Sequence, residues 1–373
     1  MPKQVTVIVT SDRYGGASAD FGIEREVLAL YPDLDVGLRG ATPSSAAALI
    51  ALGADADALL LSTRQAVSRE LVSSIPRVQV IGRYGVGLDN VDLKAATDNA
   101  IVVTHFPQYC TAEVADHALA CILGLNRRIV ELDHDLRHGA WTRHGAATTR
   151  ILRGPVPPMR ELTIGVIGFG AIGRAAASRL RAFGAHVLAT DPFIEEKTFG
   201  EHGVEGVSLD ELLTRSDITT IHCPLNAGTR GLIDAKQFAR MKPEAAIVNT
   251  ARGPIIAQDA LIAHLTSHPD FRAAIDVVEI EPLPMDSPLF HLSNVILTPH
   301  SAYYSERSVD IVQRETLIGA LDVLRGSRPV VVANPEVLTS LSLAPNPRAE
   351  ALSREPNHEV LAREASASRG VNL

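Results

Sequence analysis

The sequence predicts an α/β protein with two domains, each organised around a sheet of parallel strands. Three observations support this fold class. Short apolar runs typical of buried strands alternate with helical periodicity along most of the chain. One of these runs begins at Leu162 and leads directly into a glycine-rich turn. The length of 373 residues and a composition that is 46% hydrophobic but only 4% aromatic suit two cores of aliphatic side chains.

The glycine-rich turn has the spacing of a dinucleotide-binding unit and reads Gly168-Phe169-Gly170-Ala171-Ile172-Gly173. Gly168 permits a tight turn, Gly170 lets a pyrophosphate approach the backbone, and Gly173 lets the next helix lie close to the strand. The helix is predicted over 172–183. Its first N–H groups, with Ala171 and Ile172 at the turn, would face the phosphates.

The acidic residue that follows the next strand favours NAD over NADP. This strand is predicted over 186–190, and Asp191 comes directly after it. A carboxylate at that position would accept hydrogen bonds from a ribose diol and would repel a 2′-phosphate. No basic side chain follows at once, because the chain continues Pro192-Phe193-Ile194-Glu195.

The overall charge and the cysteines limit the class of protein. A net charge of −8 argues against nucleic acid or an anionic membrane surface as a partner. The first residues lead straight into a strand, and no apolar run approaches the length of a membrane span, so a cytoplasmic protein is predicted. The three cysteines have neither paired nor metal-ligand spacing, and no metal site is predicted. His117 and the histidines after it are interpreted as surface or packing residues.

Hydrophobic periodicity places the remaining elements. Before the glycine-rich turn, strands are predicted at 5–10, 58–62, 79–81 and 101–104, and helices at 22–30, 44–52, 69–75, 93–98 and 111–138. After the turn, strands are predicted at 218–222, 245–249, 273–277, 295–297 and 330–332, and helices at 209–214, 235–241, 259–265 and 306–325. The composition of 340–373 predicts an irregular tail.

Two groups of residues are candidates for binding or chemistry. The segment 82–90, with Arg83, Val86 and Gly87, follows a strand and suits either a plain turn or an amide cradle for a small anion, to which Arg83 would add charge. In the second half, Arg252, an acid and His300 follow successive strands. Each alone is typical of a surface residue, but together they supply one cleft with groups for acid–base chemistry.

These segments, taken in order, resemble the D-isomer-specific 2-hydroxyacid dehydrogenase family. The motifs are GRYGVGLDNVD, GFGAIGR, ATDP, HCPL, NTARGP, DVVEIEP and TPH. The resemblance implies an NAD-binding doubly wound domain, residues 111–303, inserted into a smaller flavodoxin-like substrate domain, residues 1–110 and 304–335. It also implies homodimers formed through the NAD-binding domain.

The resemblance implies a role for each candidate residue. His300 would be the general acid or base, Glu281 would orient it, and Arg252 would bind the carboxylate of a small 2-keto or 2-hydroxy acid. The N–H groups of Val86 and Gly87 would hold the same carboxylate. Further cofactor contacts are expected from Cys223, Pro224, Thr250, Ala251 and Asp276.

The substrate side chain and one functional alternative stay open. Arg83 and Arg64 leave room for a second anionic group on the substrate, and Tyr303 suits either a contact with the substrate or packing against the last helix. Tyr303 also resembles an aromatic residue of the C-terminal-binding protein branch. The alternative function is therefore an NAD(H)-responsive regulator that binds a partner.

Overall fold

The structure is a computed structural model that describes residues 1–10, 20–144 and 156–348. The chain forms two compact units. Unit 1 comprises Met1–Tyr109 and Glu306–Leu373, and unit 2 comprises Cys110–Ser305. Unit 2 is thus a continuous insertion in the sequence of unit 1.

Strands and helices alternate along both units. The strands are β1 (Lys3–Thr10), β2 (Leu34–Gly40), β3 (Ala58–Ser62), β4 (Val80–Tyr84), β5 (Val102–His105), β6 (Thr163–Ile167), β7 (His186–Thr190), β8 (Glu205–Gly206), β9 (Ile218–Ile221), β10 (Ala246–Asn249), β11 (Arg272–Ile275) and β12 (Val295–Leu297). The helices are α1 (Gly22–Leu28), α2 (Ala46–Gly53), α3 (Arg69–Ser74), α4 (Leu93–Asp98), α5 (Thr111–Asn126), α6 (Ile129–Arg137), α7 (Ala140–His144), α8 (Ala171–Ala182), α9 (Glu196–Glu201), α10 (Leu209–Arg215), α11 (Ala235–Phe238), α12 (Gln258–Ser267) and α13 (Glu306–Arg325).

Unit 1 contains a five-stranded parallel sheet in the order β2-β1-β3-β4-β5. This is the flavodoxin-like order, as predicted. Apolar side chains of β1, β3 and β4 are fully buried beneath the helices, among them Ile8, Leu59 and Ile81. Helix α13, which follows the insertion, packs against β3, β4 and β5.

Unit 2 contains a seven-stranded parallel sheet in the order β12-β11-β10-β9-β6-β7-β8. The strand order reverses at β6, which pairs with β9 on one side and β7 on the other. One face of the sheet is covered by α5 and α8, with Ile122, Ile164 and Leu180 in the core. The other face packs against α10 and α12, with Leu212 and Leu261 buried. Because both faces are covered, most residues of these strands are apolar.

Two predicted elements are wrong in detail, and strand β2 was not predicted. The helix predicted over 111–138 is two helices, α5 and α6, because Arg128 has a left-handed φ of 53° that interrupts the hydrogen-bonding ladder while the apolar spacing continues. The segment 330–332 is not a strand, although its Val331 carbonyl accepts a hydrogen bond from Thr104 Oγ1. Strand β2 lies at a sheet edge, and its apolar residues alternate with polar ones instead of forming the continuous apolar run by which the other strands were predicted.

The start of the predicted irregular tail has defined contacts in unit 1. Asn346 Nδ2 donates to Asp322 Oδ2 (2.8 Å), and Arg348 donates through both terminal nitrogens to Glu315 (2.6 and 2.9 Å). Residues 340–348 are therefore held against α13. The rest of the predicted tail, 349–373, lies outside the described residues.

Candidate active site

The glycine-rich turn links β6 to α8 through two close backbone approaches. Gly168 has a left-handed φ of 89°, and a Cβ there would lie 2.5 Å from the backbone N of Cys223. A Cβ on Gly173 would lie 2.1 Å from the carbonyl oxygen of Gly168. Both positions need glycine because backbone atoms fill the space that a side chain would take.

The middle glycine borders open space. Among the described residues, a Cβ on Gly170 would meet no heavy atom within 4 Å, and no side chain of this part of the chain caps the N-terminus of α8, which begins at Ala171. The first N–H groups of this helix, including that of Ile172, are thus available to an anion, which the helix dipole would also attract. These features fit the pyrophosphate of a dinucleotide.

The ends of β7 and β9 meet this turn, as expected where the strand order reverses. Asp191, directly after β7, accepts from the N–H of Phe169 at Oδ2 (2.8 Å) and from that of Phe193 at Oδ1 (3.0 Å). After β9, burial and the negative charge of Asp191 raise the pKa of the Cys223 thiol to about 11. Cys223 is therefore protonated at neutral pH. Pro224 accepts a hydrogen bond at its carbonyl from Thr229 Oγ1 (2.6 Å).

The loop after β10 is braced by Asn249, which sequence reasoning did not select. Its Oδ1 accepts from the N–H of Ala251 (3.0 Å), and its Nδ2 donates to the carbonyl of Arg252 (2.9 Å). Thr250 between them is buried, and its Oγ1 has no hydrogen-bond partner within the described part of the chain. A buried hydroxyl in this state suits a ligand that supplies the missing partner.

The structure brings Arg252, Glu281 and His300 together. His300 Nδ1 lies 2.7 Å from Glu281 Oε2, and the other carboxylate oxygen accepts from the N–H of Val278 (3.2 Å). Burial tends to raise the pKa of Glu281, but the hydrogen bond and charge of His300, aided by Arg252, bring this pKa below its ordinary value. Glu281 is therefore ionised at neutral pH, and it fixes one side of the imidazole.

Asp276 holds the backbone around His300. His300 has a left-handed φ of 51°, and its N–H donates to the carbonyl of Asp276 (2.8 Å). The buried carboxylate of Asp276 accepts from the N–H groups of Ser301 (2.9 Å) and Ala302 (3.0 Å) and from Thr298 Oγ1 (2.6 Å). These bonds stabilise a backbone conformation that a histidine rarely adopts. The predicted contact of Asp276 with a nicotinamide stays a prediction.

Tyr303 lies beside the histidine. The two rings meet edge to face, with centroids 6.2 Å apart and an interplanar angle of 81°. A contact of Tyr303 with the substrate stays a prediction.

In unit 1, the segment after β4 presents two backbone N–H groups. Those of Val86 and Gly87 donate no hydrogen bond within the described ranges. Gly85 before them has a φ of 151°, and a Cβ there would lie 2.5 Å from Thr63 Cγ2. Burial lowers the pKa of His105, while hydrogen bonds to the backbone of Val86 and Gly85 partly oppose this. His105 ends β5 and carries no motif, so sequence reasoning missed it.

Arg83, a predicted substrate contact, is a buried residue of unit 1. Its side chain is fully buried, and the guanidinium donates to the carbonyls of Ser62 (2.8 Å) and Gln65 (2.6 Å) and to Asn90 Oδ1 (2.6 Å). Arg83 therefore holds the loop after β3, and a contact of Arg83 with the substrate stays a prediction. The position of Arg83 beside a glycine-rich turn did not indicate these hydrogen bonds.

Within the described residues, no three His, Cys, Asp or Glu side chains are grouped so that they could hold a metal ion. In the same part of the chain, no helix has both the length and the apolar surface that crossing a membrane requires.

Comparisons with known proteins place the chain among dehydrogenases. Residues 119–302 match the model of the D-isomer specific 2-hydroxyacid dehydrogenase NAD binding domain. The chain is 38% identical over 290 residues to glyoxylate reductase from Thermofilum pendens, covering 76% of this chain and 83% of that protein. It is 40% identical over 252 residues to D-3-phosphoglycerate dehydrogenase from Mycobacterium leprae, covering 68% of this chain but only 46% of the relative.

A solved structure supports the same relationship. D-lactate dehydrogenase from Aquifex aeolicus, complexed with NAD and lactic acid, superposes with a TM-score of 0.73 at 27% identity. The match covers 90% of this chain and 98% of that one. The chain has the family's NAD binding domain, and it belongs to the D-isomer specific 2-hydroxyacid dehydrogenase family.

Proposed function

We propose that this protein is an NAD-dependent oxidoreductase that interconverts a small 2-keto acid and the corresponding D-2-hydroxy acid. The observation that carries the proposal is the 2.7 Å pair of His300 Nδ1 and Glu281 Oε2, with Arg252 beside it. The pair lies in the unit that contains the dinucleotide-binding turn. This combination supplies a proton donor and a carboxylate anchor next to a redox cofactor.

The cofactor would be held by the turn from Gly168 to Gly173, by Asp191 at the ribose and by the unpartnered hydroxyl of Thr250. When bound, NAD(H) supplies or accepts the hydride. No basic side chain follows Asp191 directly, which supports NAD over NADP.

His300 would move the proton. Its Nδ1–H donates to Glu281, which leaves Nε2 to face the substrate. In reduction, Nε2–H donates its proton to the keto oxygen, and in oxidation the neutral Nε2 accepts it from the hydroxyl. The ionised Glu281 keeps the ring in this orientation.

Arg252 would bind the substrate. Its planar guanidinium suits a two-point contact with the carboxylate and draws electron density from the adjacent carbonyl. Val86, Gly87 and Tyr303 remain predicted substrate contacts.

The relatives support an enzyme over the partner-binding regulator, because they are named as dehydrogenases and reductases. They act on different acids, so the class of small 2-keto acids is proposed without a choice among them. We also propose a cytoplasmic homodimer formed through unit 2. The free state of Cys110, Cys121 and Cys223 supports a reducing compartment.

The test is NADH oxidation with glyoxylate, hydroxypyruvate, phenylpyruvate and 3-phosphohydroxypyruvate. We expect turnover with at least one of them. His300→Ala should lower kcat by roughly 10² to 10⁴ while NADH still binds, because only the proton donor is lost. Arg252→Ala should raise KM and lower kcat.

The control is His186→Ala, which removes an exposed imidazole paired with Glu205 at the other end of the sheet. A wild-type protein that binds NADH but oxidises it with no keto acid would contradict the proposal. In that case a partner captured only in the presence of NADH would favour the regulator. Unchanged turnover in His300→Ala would remove His300 from the mechanism.

A further inference from the structure

One face of α5 lies along the chain segment that carries His300. Glu113 Oε1 accepts from Ser305 Oγ (2.8 Å), and His117 Nε2 lies 3.1 Å from Thr298 Oγ1. Further along the helix, a Cβ on Gly124 would lie 3.4 Å from Ile296 Cδ1. The helix thus runs against the direction of 296–305 and contacts it through polar groups on both sides of His300.

The other hydrogen bonds of Thr298 determine the direction of its hydrogen bond with His117. Thr298 Oγ1 donates its single hydrogen to Asp276 Oδ1, which lies 2.6 Å away. The N–H groups of Ser301 and Ala302 also donate to this carboxylate. Thr298 Oγ1 can therefore only accept from His117, so that the hydrogen of His117 is on Nε2.

The chain of hydrogen bonds continues to His300. Asp276, whose side chain is only 1% exposed, accepts the N–H of His300 at its carbonyl and those of the next two residues at its carboxylate. His117 Nε2 is also 3.8 Å from Asp276 Oδ1. The orientation of this carboxylate thus depends on Thr298 and His117 as well as on the turn itself.

We propose that His117 is a positioning residue for His300, acting by donating from Nε2 to Thr298 and so fixing the Asp276 carboxylate on which the His300 turn depends. Its kinetic consequence rests on the proposed dehydrogenase function. His117 does not touch the reacting atoms in this assignment. Its effect is on the geometry of the proton donor, where a displacement of about 1 Å costs on the order of 10²-fold in rate.

The kinetic test compares two substitutions at His117. His117→Gln keeps an N–H donor at a similar distance from the backbone, whereas His117→Met has a similar length without a donor. We expect kcat to fall roughly 10- to 100-fold in His117→Met and to stay within about 3-fold of wild type in His117→Gln, with KM for the keto acid little changed in both.

A double-mutant cycle tests the partner. Thr298→Val removes both the acceptor for His117 and the donor to Asp276, so it should lower kcat at least as much as His117→Met. The double variant should be no slower than Thr298→Val alone, because His117 acts on Asp276 through Thr298. If the fold-decrease in kcat of the double variant equals the product of the two single decreases, His117 does not act through Thr298 and the proposal is overturned.

Hydrogen–deuterium exchange tests the same inference without any activity. Exchange of the Ser301 and Ala302 amides should be faster in His117→Met than in wild type and unchanged in His117→Gln. His186→Met, in the distant strand β7, serves as the matched control and should change neither exchange nor kcat.

The two measurements separate the inference from the function on which it rests. If wild type reduces no keto acid, the proposed function fails, while the exchange rates still decide the role of His117. Unchanged exchange at Ser301 and Ala302 in a folded His117→Met variant would overturn the inference. An equal fall in kcat in His117→Gln and His117→Met would also overturn the inference, because the hydrogen-bond donor at this position would then have no effect on kcat.

Discussion

The imidazole of His222 shows how one residue of the cofactor-binding region ties stability to pH. His222 follows β9, its Nε2 lies 3.0 Å from Thr220 Oγ1, and its Nδ1 is buried with no partner among the residues that the structure describes. Burial lowers the pKa of His222 to about 4. The folded protein therefore keeps this ring neutral at a pH where an exposed histidine would be charged.

We expect this histidine to destabilise the fold as the pH falls. The unfolded chain takes up a proton near the ordinary pKa of 6.5, whereas the folded chain does so only near 4, so stability is lost between these two values. Between about pH 7 and pH 5, wild type should lose about 1 to 2 kcal/mol more unfolding free energy than His222→Gln.

The measurement is urea denaturation of both proteins at each pH. Taking the difference between them removes the contribution of other titrating groups, such as His264, whose pKa burial also lowers. Parallel pH profiles of wild type and His222→Gln would show that His222 titrates normally in the fold.

At the scale of elements, two glycines where β6 meets α8 have different surroundings. Gly173 faces the carbonyl of Gly168 at a distance that excludes a side chain, whereas Gly170 faces open space at the same helix end. The same residue type thus meets two different physical requirements within one turn.

Two alanine substitutions should have opposite effects on folding and binding. Gly173→Ala should destabilise the protein by roughly 1 to 3 kcal/mol, because α8 must move away from the turn. Gly170→Ala should cost less than about 1 kcal/mol, since its methyl meets only open space. That methyl would nonetheless occupy the place of the pyrophosphate and weaken NADH binding about 10-fold or more.

Thermal unfolding and NADH fluorescence titration check both substitutions. Wild-type NADH affinity in Gly170→Ala would contradict a pyrophosphate at this turn. Wild-type stability in Gly173→Ala would contradict the close packing of α8.

At the scale of the whole molecule, unit 1 is assembled from two segments separated by the insertion, and polar side chains join them. Asn334 Oδ1 accepts from the N–H of Val103 (2.8 Å), and its Nδ2 donates to the carbonyl of Ile101 (2.9 Å). Tyr31 donates to Asp322 Oδ1 (2.7 Å), whose other oxygen accepts from Asn346. Burial raises the pKa of Asp322, so these partners offset the cost of its burial.

Removing the contacts after α13 should destabilise unit 1. In the double variant Asn346→Ala/Arg348→Ala, the largely buried Glu315 loses its ion pair and Asp322 loses one donor. We expect a loss of about 2 kcal/mol, because removing a charge partner or a hydrogen-bond donor from a buried acid is costly. This loss of stability is measured by hydrogen exchange of the α13 amides at low denaturant concentration. Ser342→Ala, at an exposed residue of the same segment, is the control and should leave this stability unchanged. An unchanged stability in the double variant would contradict the role of these contacts.

The sequence alone predicted the elements and motifs that depend on neighbouring residues. The alternation of strands and helices, the glycine-rich turn, Asp191 after β7 and the polar residues after β10 and β12 all follow from patterns a few residues long. The strand orders of both sheets agree with the predicted fold class. Such patterns are readable because backbone geometry and local hydrogen bonding set them within one or two elements.

Only the tertiary structure decided which polar groups meet across the chain. It buried Arg83 against backbone carbonyls, joined His117 to Thr298 across 181 positions, and placed Asn346 and Arg348 on acids of α13. Long polar side chains reach partners whose position depends on the packing of whole elements. The spacing of residues along the sequence does not predict these pairs. The sequence by itself determined the fold class and the chemical groups of the site, while packing determined which residues hold those groups in place.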